Sequence, residues 1–389
     1  MFVGTSAAEH EMSVAIDEAR SDPSTRERIH FLRPEPGKLG AFADPNDFAI
    51  CDSDRAVLDD PERIARGLLK GRDVAVDEQS VPHDLLLGEQ GCYGKVMSTA
   101  WPNLSELLVD DEGVPIGFVG VPLAAGSVTP GACDKAPALL RKTLRRIGRY
   151  DVENGDSLFT PIHDCGDIEL GGLDIEQATA PIRDGVAASL KDHVLTLVAG
   201  GNNAITRPAL LALGMPLTQV GLITLDAHFD MRELDEGLSN GNPVRALMKD
   251  GLPGKNIAQI GLASFANTAK MHRDALDAGN LVVSIEEVRR DGIDKAVDDA
   301  MAHMAHADAI VLDCDIDVID RAQMPGAPGA RPGGMQVNDF FSAVRRIASD
   351  HRVRVIDLTE WDPSLDPTDL SALTAARWLA ECVAGFENR

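Results

Sequence analysis

Eight short apolar runs recur between residue 115 and the C-terminus, at 116–121, 158–162, 194–198, 220–225, 257–262, 281–285, 310–312 and 353–358. Stretches with apolar residues at helical spacing separate most of them, for instance 136–147, 175–190 and 208–213, and another at 369–386 closes the chain. Strand, helix, strand at this spacing means βαβ units and a parallel sheet. The simplest build is a three-layer α/β/α domain over residues 111–389. Residues 1–110 read differently. They hold charged, Pro- and Asp-rich pieces such as 33–37 and 59–63, with only short apolar runs. They are expected to form an N-terminal extension of loops and short helices, resting on the main domain or on a neighbouring subunit.

Two of the apolar runs end in acids. The run at 220–225 leads into Asp226-Ala227-His228-Phe229-Asp230, and the run at 309–312 into Asp313, Asp315 and Asp317. Side chains two apart in extended backbone project to one side, so each motif can aim its donors at one point. Ligands of open α/β sheets bind beyond the carboxyl ends of the strands. Asp226, Asp230, Asp315 and Asp317 at close quarters would repel one another and leave some protonated unless a cation intervened. Two divalent ions carry four positive charges, which balance four carboxylates. Oxygen-rich ligation with the single imidazole of His228 suits Mn2+ or a similar hard ion more than structural zinc. Either motif alone would be read equally well as a solvated strand end or a helix cap; the two together favour the metal.

The composition excludes some partners. With 62 acidic against 37 basic residues the net charge is −25, a field that repels nucleic acid and anionic membrane surfaces alike. A salt-adapted cytoplasm and a GC-rich genome both produce such a bias. The six cysteines, at 51, 92, 133, 165, 314 and 382, form no CxxC pair, which favours reduced thiols over a disulfide framework. Cys314, between two candidate ligands, is expected to point into the core. The N-terminus carries early acids and no apolar signal core, and no run reaches membrane-spanning length, so a cytoplasmic location is expected.

On these motifs and those that follow, the chain resembles the arginase–agmatinase–formimidoylglutamase family of ureohydrolases. Asp226–Asp230 is similar to the family's DAHxD motif. Asp313-Cys314-Asp315-Ile316-Asp317-Val318-Ile319-Asp320, then Pro325-Gly326, is similar to SxDxDxxDP…PG, with Asp for Ser and Arg321 for Pro. Gly120-Val121-Pro122, Pro130-Gly131, Pro137…Arg141, Asp164-Cys165-Gly166-Asp167-Ile168, Gly200-Gly201 and Glu360 match as well, in the family's order. The resemblance implies a mostly parallel sheet of about eight strands, with two Mn2+ held by Asn203, Asp226, His228, Asp230, Asp315 and Asp317. It implies hydrolysis of an amidine or guanidine carbon by a metal-bridging hydroxide, since two metals sharing one water lower its pKa. Asp230 would hold both ions and steer the hydroxide, with His228 and Glu360 completing the catalytic set. Glu360 would pair with the cationic amidine; its other reading is a surface acid at a strand end. A homotrimer or homohexamer is implied by resemblance alone.

The departure lies at Gly200-Gly201-Asn202-Asn203, where family members carry a metal-binding His at the position of Asn203. An amide oxygen keeps the charge balance but is a weaker donor. The site is then either retained with a looser first metal or lost, and Asn202 beside it removes an orienting acid. The loop 239–245 and the segment 260–268 resemble the formimidoylglutamase branch more than arginases. Arg232, Ser239, Asn240 and Glu360 are the candidate substrate contacts; a guanidinium at 232 suits an acidic substrate, although a surface or interface ion pair would also explain it. His163 reads as a structural histidine more readily than as a pocket residue. The expected function is cleavage of a C–N bond in a small linear amidine or guanidine, with formimidoylglutamate or a guanidino acid foremost. Alternatives are an agmatinase- or guanidinobutyrase-like enzyme, and an impaired member kept as a scaffold or regulatory subunit.

Overall fold

We describe the computed structural model over residues 101–389; most of the expected N-terminal extension lies outside the described residues. In chain order the first elements are β1 (Leu108–Val109), β2 (Ile116–Val121), α1 (Ala136–Thr143), β3 (Tyr150–Asp151), β4 (Asp156–Ser157), β5 (Ile162–Asp167) and α2 (Ile175–Asp192). Then come β6 (Leu195–Gly200), α3 (Thr206–Leu211), β7 (Val220–Leu225), α4 (Pro243–Asp250), β8 (Ile257–Leu262), α5 (Ala269–Ala278) and β9 (Leu281–Ser284). The chain ends with α6 (Ile285–Asp291), α7 (Ile293–His303), β10 (Ala309–Asp315), α8 (Val337–Ala348), β11 (Val353–Thr359) and α9 (Leu370–Phe386).

Nine strands form one sheet in the order β1-β5-β2-β6-β11-β10-β7-β8-β9, and every pairing in it is parallel. The count is nine where about eight were expected. The two-residue β1, paired with β5 at the sheet edge, is too short to leave a periodic signal. It also places the start of the sheet ahead of residue 110. The helices divide between the faces: α1 and α6 to α9 pack on one, α2 to α5 on the other. Strands covered on both sides must be apolar throughout, and every residue of β2, β6, β7, β8 and β10 is buried. Each buried Leu, Ile or Val contributes about 1.5–3 kcal/mol, so the sheet is a firm base for the groups at its strand ends.

The strand expected at 158–162 is displaced: β5 begins at Ile162 and carries the Asp164–Asp167 motif within it. Its acids are answered by α1. Arg141 Nε donates to Asp164 Oδ2 at 2.8 Å and its Nη1 to Asp167 Oδ1 at 2.5 Å, while its guanidinium lies 4.8 Å from the Phe118 ring centre. A partner twenty-odd residues upstream is invisible to a reading of local alternation. Helix α2 starts where a capping box fixes it, with Gln177 N–H donating to Asp174 Oδ1 at 2.8 Å and Asp174 N–H to Gln177 Oε1 at 3.1 Å. Among the described residues no helix is long and apolar enough to cross a membrane.

Candidate metal centre

The carboxyl ends of four adjacent strands, β6, β11, β10 and β7, carry Asn203, Glu360, Asp315 and Asp226 respectively. Beyond β7 the chain turns tightly. Asp226 Oδ1 accepts from the His228 N–H at 2.7 Å, and Asn267 straps the turn, accepting from Phe229 N–H and donating to Ala227 O, both at 2.9 Å. Buried Gln259 donates to Phe229 O at 2.9 Å. Asp230 then sits at φ 51° and Glu360 at φ 59°, left-handed conformations that cost on the order of 1–3 kcal/mol each in a non-glycine residue. Both carboxylates line the same cavity.

The acids converge in two groups that share a member. Ligand atoms of Asp226, His228 and Asp317 lie within 4.8 Å of one another, and so do those of Asp226, Asp230 and Asp315. Asp226 is common to both, whereas Asp230, expected from the sequence to hold both ions, belongs to one. His228 Nδ1 lies 3.0 Å from Asp317 Oδ2 and 3.5 Å from Asp226 Oδ1. The two nearest carboxylates, Asp317 foremost, push the imidazole up to about 12, and the closer partner, Asp317, is held below the usual carboxylate range. Burial raises Asp226 to about 6 and Asp230 and Asp315 well above normal. The protein alone therefore supplies one positive charge, on the imidazolium, against four carboxylates.

A divalent cation fits this donor set. Asp226 Oδ2 and Asp317 Oδ1 are buried without a hydrogen-bond partner, and buried carboxylate oxygens without partners are costly unless an ion answers them. A Cβ on Gly329 would come within 1.9 Å of Asp317 Oδ2 and 3.1 Å of His228 Cε1, so glycine there keeps the loop against the cluster. Asn203 is fully buried. Its Nδ2 donates to Asp230 Oδ2 at 2.7 Å and its Oδ1 accepts from Thr206 at 2.6 Å. In this arrangement the amide nitrogen faces the acids, and half a turn about the terminal torsion would present the oxygen.

The cavity, about 180 Å3, has Asp230, Asp315, Asp317 and His228 among its lining groups, together with Glu360 and Asn240. Glu360 Oε1 accepts from the Asn203 N–H and from Asn240 Nδ2, both at 2.8 Å, and burial raises it to about 7. Arg232 lines the cavity as expected, its stem over Gly241, where a Cβ would meet its Cδ at 2.7 Å. Ser239 does not line it; its N–H donates to Asn242 Oδ1 at 2.9 Å. Sequence reasoning missed Arg331, which lines the cavity from the loop after Pro325-Gly326. Its Gly- and Pro-rich surroundings mark a loop but not where that loop folds.

Other motif residues hold the frame. Asn202 Nδ2 donates to Ala125 O and Ser127 Oγ at 2.8 and 2.7 Å, pinning the loop after β2. Gly201 approaches Leu123 O so closely that a Cβ would lie 1.8 Å from it. Asp362 accepts from the Ala132 N–H at 2.9 Å beside Pro130-Gly131. Cys314 is fully buried, as expected. Asp313 faces Asp357 across β10 and β11; burial and the facing carboxylate raise Asp313 well above its ordinary value, and neither joins a ligand group with the acids above it.

A crevice at the carboxyl ends of a parallel sheet, floored by overlapping triads of hard donors, is the candidate metal centre of an α/β/α enzyme fold. The Arginase family model matches residues 114–385, and the chain belongs to the arginase family. It is accordingly a hydrolase of C–N bonds in linear amidines. It is similar to the formimidoylglutamase of Halalkalibacterium halodurans, 30% identical over 275 residues that cover 69% of this chain and 86% of that protein. Among solved structures, formimidoylglutamase from Bacillus subtilis superposes with a TM-score of 0.70 at 25% identity, covering 83% of this chain and 98% of that one. Trypanosoma cruzi formiminoglutamase, solved with Mn2+2, gives 0.69 at 25% identity, covering 74% and 99%. These relatives bear out the likeness to the formimidoylglutamase branch.

Proposed function

We propose that the protein is a Mn2+-dependent hydrolase of an acidic formimino compound of the formimidoylglutamate kind. One observation carries the reading: the two ligand triads sharing Asp226 floor a cavity whose lining also holds one buried carboxylate, Glu360, and two guanidinium groups, Arg232 and Arg331. Asp226, His228, Asp230, Asp315 and Asp317 would hold the metals, with Asn203 reaching the first through its amide oxygen. Bound manganese would supply Lewis acidity and a hydroxide nucleophile near neutral pH.

The remaining work falls to side chains of this chain. Glu360 is held by the Asn203 N–H and Asn240 and presents its carboxylate to the planar amidinium, a fork-to-fork contact. A cationic substrate arriving beside Glu360 favours the ionised form, which burial alone disfavours. Arg232 and Arg331 would take the carboxylates at the other end of the substrate, where guanidinium matches carboxylate geometry, with Arg331 steadied by donation from Nη1 to Gly329 O at 2.7 Å. Asp230 lines the cavity and is the acceptor for the proton that leaves water as it adds to the amidine carbon. The bond from that carbon to the substrate's amino nitrogen then breaks, with the proton passed to that nitrogen, releasing formamide and the free amino acid.

The test is a screen of the full chain with Mn2+ against formimidoylglutamate, guanidinobutyrate, arginine and agmatine. Formamide release from the first, at a kcat/KM at least tenfold above urea release from the others, is expected. Preference for a cationic or neutral tail would overturn the assignment of the two arginines. No turnover of any of them, with fewer than one Mn2+ bound per chain, would favour the scaffold reading.

A further inference from the structure

Strand β5, next to the short edge strand β1, places His163 and Cys165 two residues apart on the face opposite the Asp164–Arg141 pair. That face is covered by the C-terminal end of α2, which brings Ser189 and the capping residue His193 over it. Gly117, in register with His163 on β2, makes room: a Cβ there would lie 2.3 Å from both His193 Cδ2 and Ser189 Oγ. The result is a compact triangle. His163 Nδ1 is 3.1 Å from His193 Nε2, Cys165 Sγ is 3.5 Å from His163 Nδ1 and 4.0 Å from His193 Nε2.

The proton count in the triangle is what points to a ligand. His193, 4% exposed, has its Nδ1 2.8 Å from Val114 O, and a carbonyl can only accept, so the proton is on Nδ1. Nε2 then turns a lone pair inward. One proton on His163 Nδ1 satisfies that lone pair, and the Cys165 thiol is then left with long contacts to His163 O at 3.7 Å and Ser189 Oγ at 3.9 Å rather than a bond to either ring. A metal ion would use all three lone pairs at once. In a tetrahedral zinc site, with Zn–N of about 2.0–2.1 Å and Zn–S of about 2.3 Å, the edges between donors come to about 3.3 Å for N to N and about 3.5 Å for N to S. Two edges of the triangle lie within a few tenths of an ångström of these, and the Cys165–His193 edge is about half an ångström longer. The hydrogen bond to Val114 O fixes ring and tautomer as outer-shell carbonyls do for metal-bound histidines.

We infer that His163, Cys165 and His193 form a second metal site for a thiophilic divalent ion of the zinc type, distinct from the acid centre. Thiolate with two imidazoles selects zinc over manganese, and the oxygen-rich centre has the opposite preference. The triangle lies near the amino-terminal ends of β5 and β2, the other edge of the sheet from Asp226 and Glu360. Exposed Cys165 leaves the fourth position to water. The ion would tie β5 to the end of α2.

The experiment uses the full chain, stripped with chelator and titrated with Co2+. One equivalent is expected to give a thiolate-to-cobalt absorption in the near ultraviolet, bleached by Zn2+ and absent in Cys165→Ser and His163→Gln. Cobalt at the acid centre has no sulfur ligand and gives no such band. A stripped chain without the band, or an unchanged band in Cys165→Ser, would overturn the site and leave a histidine–histidine hydrogen bond. Alkylation of the unsubstituted protein is an independent check. Stoichiometric Zn2+ should slow iodoacetamide labelling of Cys165 at least tenfold, and equal rates with and without Zn2+ count against the proposal.

Discussion

Asn203 stands at the end of β6 with its amide nitrogen 2.7 Å from Asp230, a donor turned toward a carboxylate that a cation would claim. Replacement by His supplies a stronger neutral donor of similar reach. Asn203→His should tighten binding of the looser Mn2+ on the order of tenfold, the scale on which ligand-sphere changes act; calorimetric titration measures it, and unchanged affinity would mean residue 203 is no ligand. Glu360 offers a second test. Its carboxylate receives two protein N–H donors at 2.8 Å, so Glu360→Gln keeps the shape and removes the charge. A charge-assisted hydrogen bond is worth about 1.5–3 kcal/mol, and kcat/KM should fall by at least about tenfold, mainly through KM, with Mn2+ stoichiometry kept. Loss of manganese in that variant would place Glu360 among the ligands instead.

At the scale of elements, the turn after β7 is held by Asn267, forty residues away on the loop beyond β8. Asn267→Ala removes hydrogen bonds to Phe229 N–H and Ala227 O. Leaving such buried groups unanswered costs about 1–3 kcal/mol, so the denaturant midpoint should fall and Mn2+ affinity with it. Normal metal binding in a destabilised variant would mean the turn is rigid without its strap. This distance also explains what the sequence revealed and what it hid. Runs buried on both faces announced β2, β7 and β8 to the residue, because burial of whole strands depends on local composition. The acids at 226–230 and 315–317 were legible for the same reason, since strand end and ligand are contiguous. Strand β5 was misplaced because Asp164 and Asp167 are answered by Arg141 from another element. Arg331 escaped because nothing local says that its loop folds over Asp317, and the meeting of Cys165 with His193 needs the whole of α2 between them.

Over the whole molecule, the acid cluster links stability to pH. Asp226 is raised to about 6 from 3.8, Glu360 and Asp357 to about 7, and His228 to about 12 from 6.5. A group whose pKa is raised on folding contributes stability below its unfolded value and loses it as pH rises through the folded one. The carboxylates thus lose theirs between about pH 4 and 7, and His228 from about 6.5 upward, all in one direction. Asp317, lowered, acts only below the ordinary carboxylate range. The metal-free protein should melt at progressively lower temperature from pH 5 to pH 8, and saturating Mn2+ should flatten or reverse that slope. A metal-free Tm that climbs over this range would show that the acids are not crowded as described.

The strand order has a consequence for how the molecule is made. β6 and β7 follow one another along the chain, yet β10 and β11 lie between them in the sheet. A nascent chain that has emerged only as far as β8 has two apolar strands destined to be apart and no third or fourth strand to separate them. Asp315 and Glu360 have not yet been synthesised at that stage. The donor groups that could hold a metal are therefore incomplete until β10 has joined β7 and brought Asp315 and Asp317 beside Asp226. Chains truncated near residue 305 should hold no Mn2+ and should aggregate through their unpaired central edges.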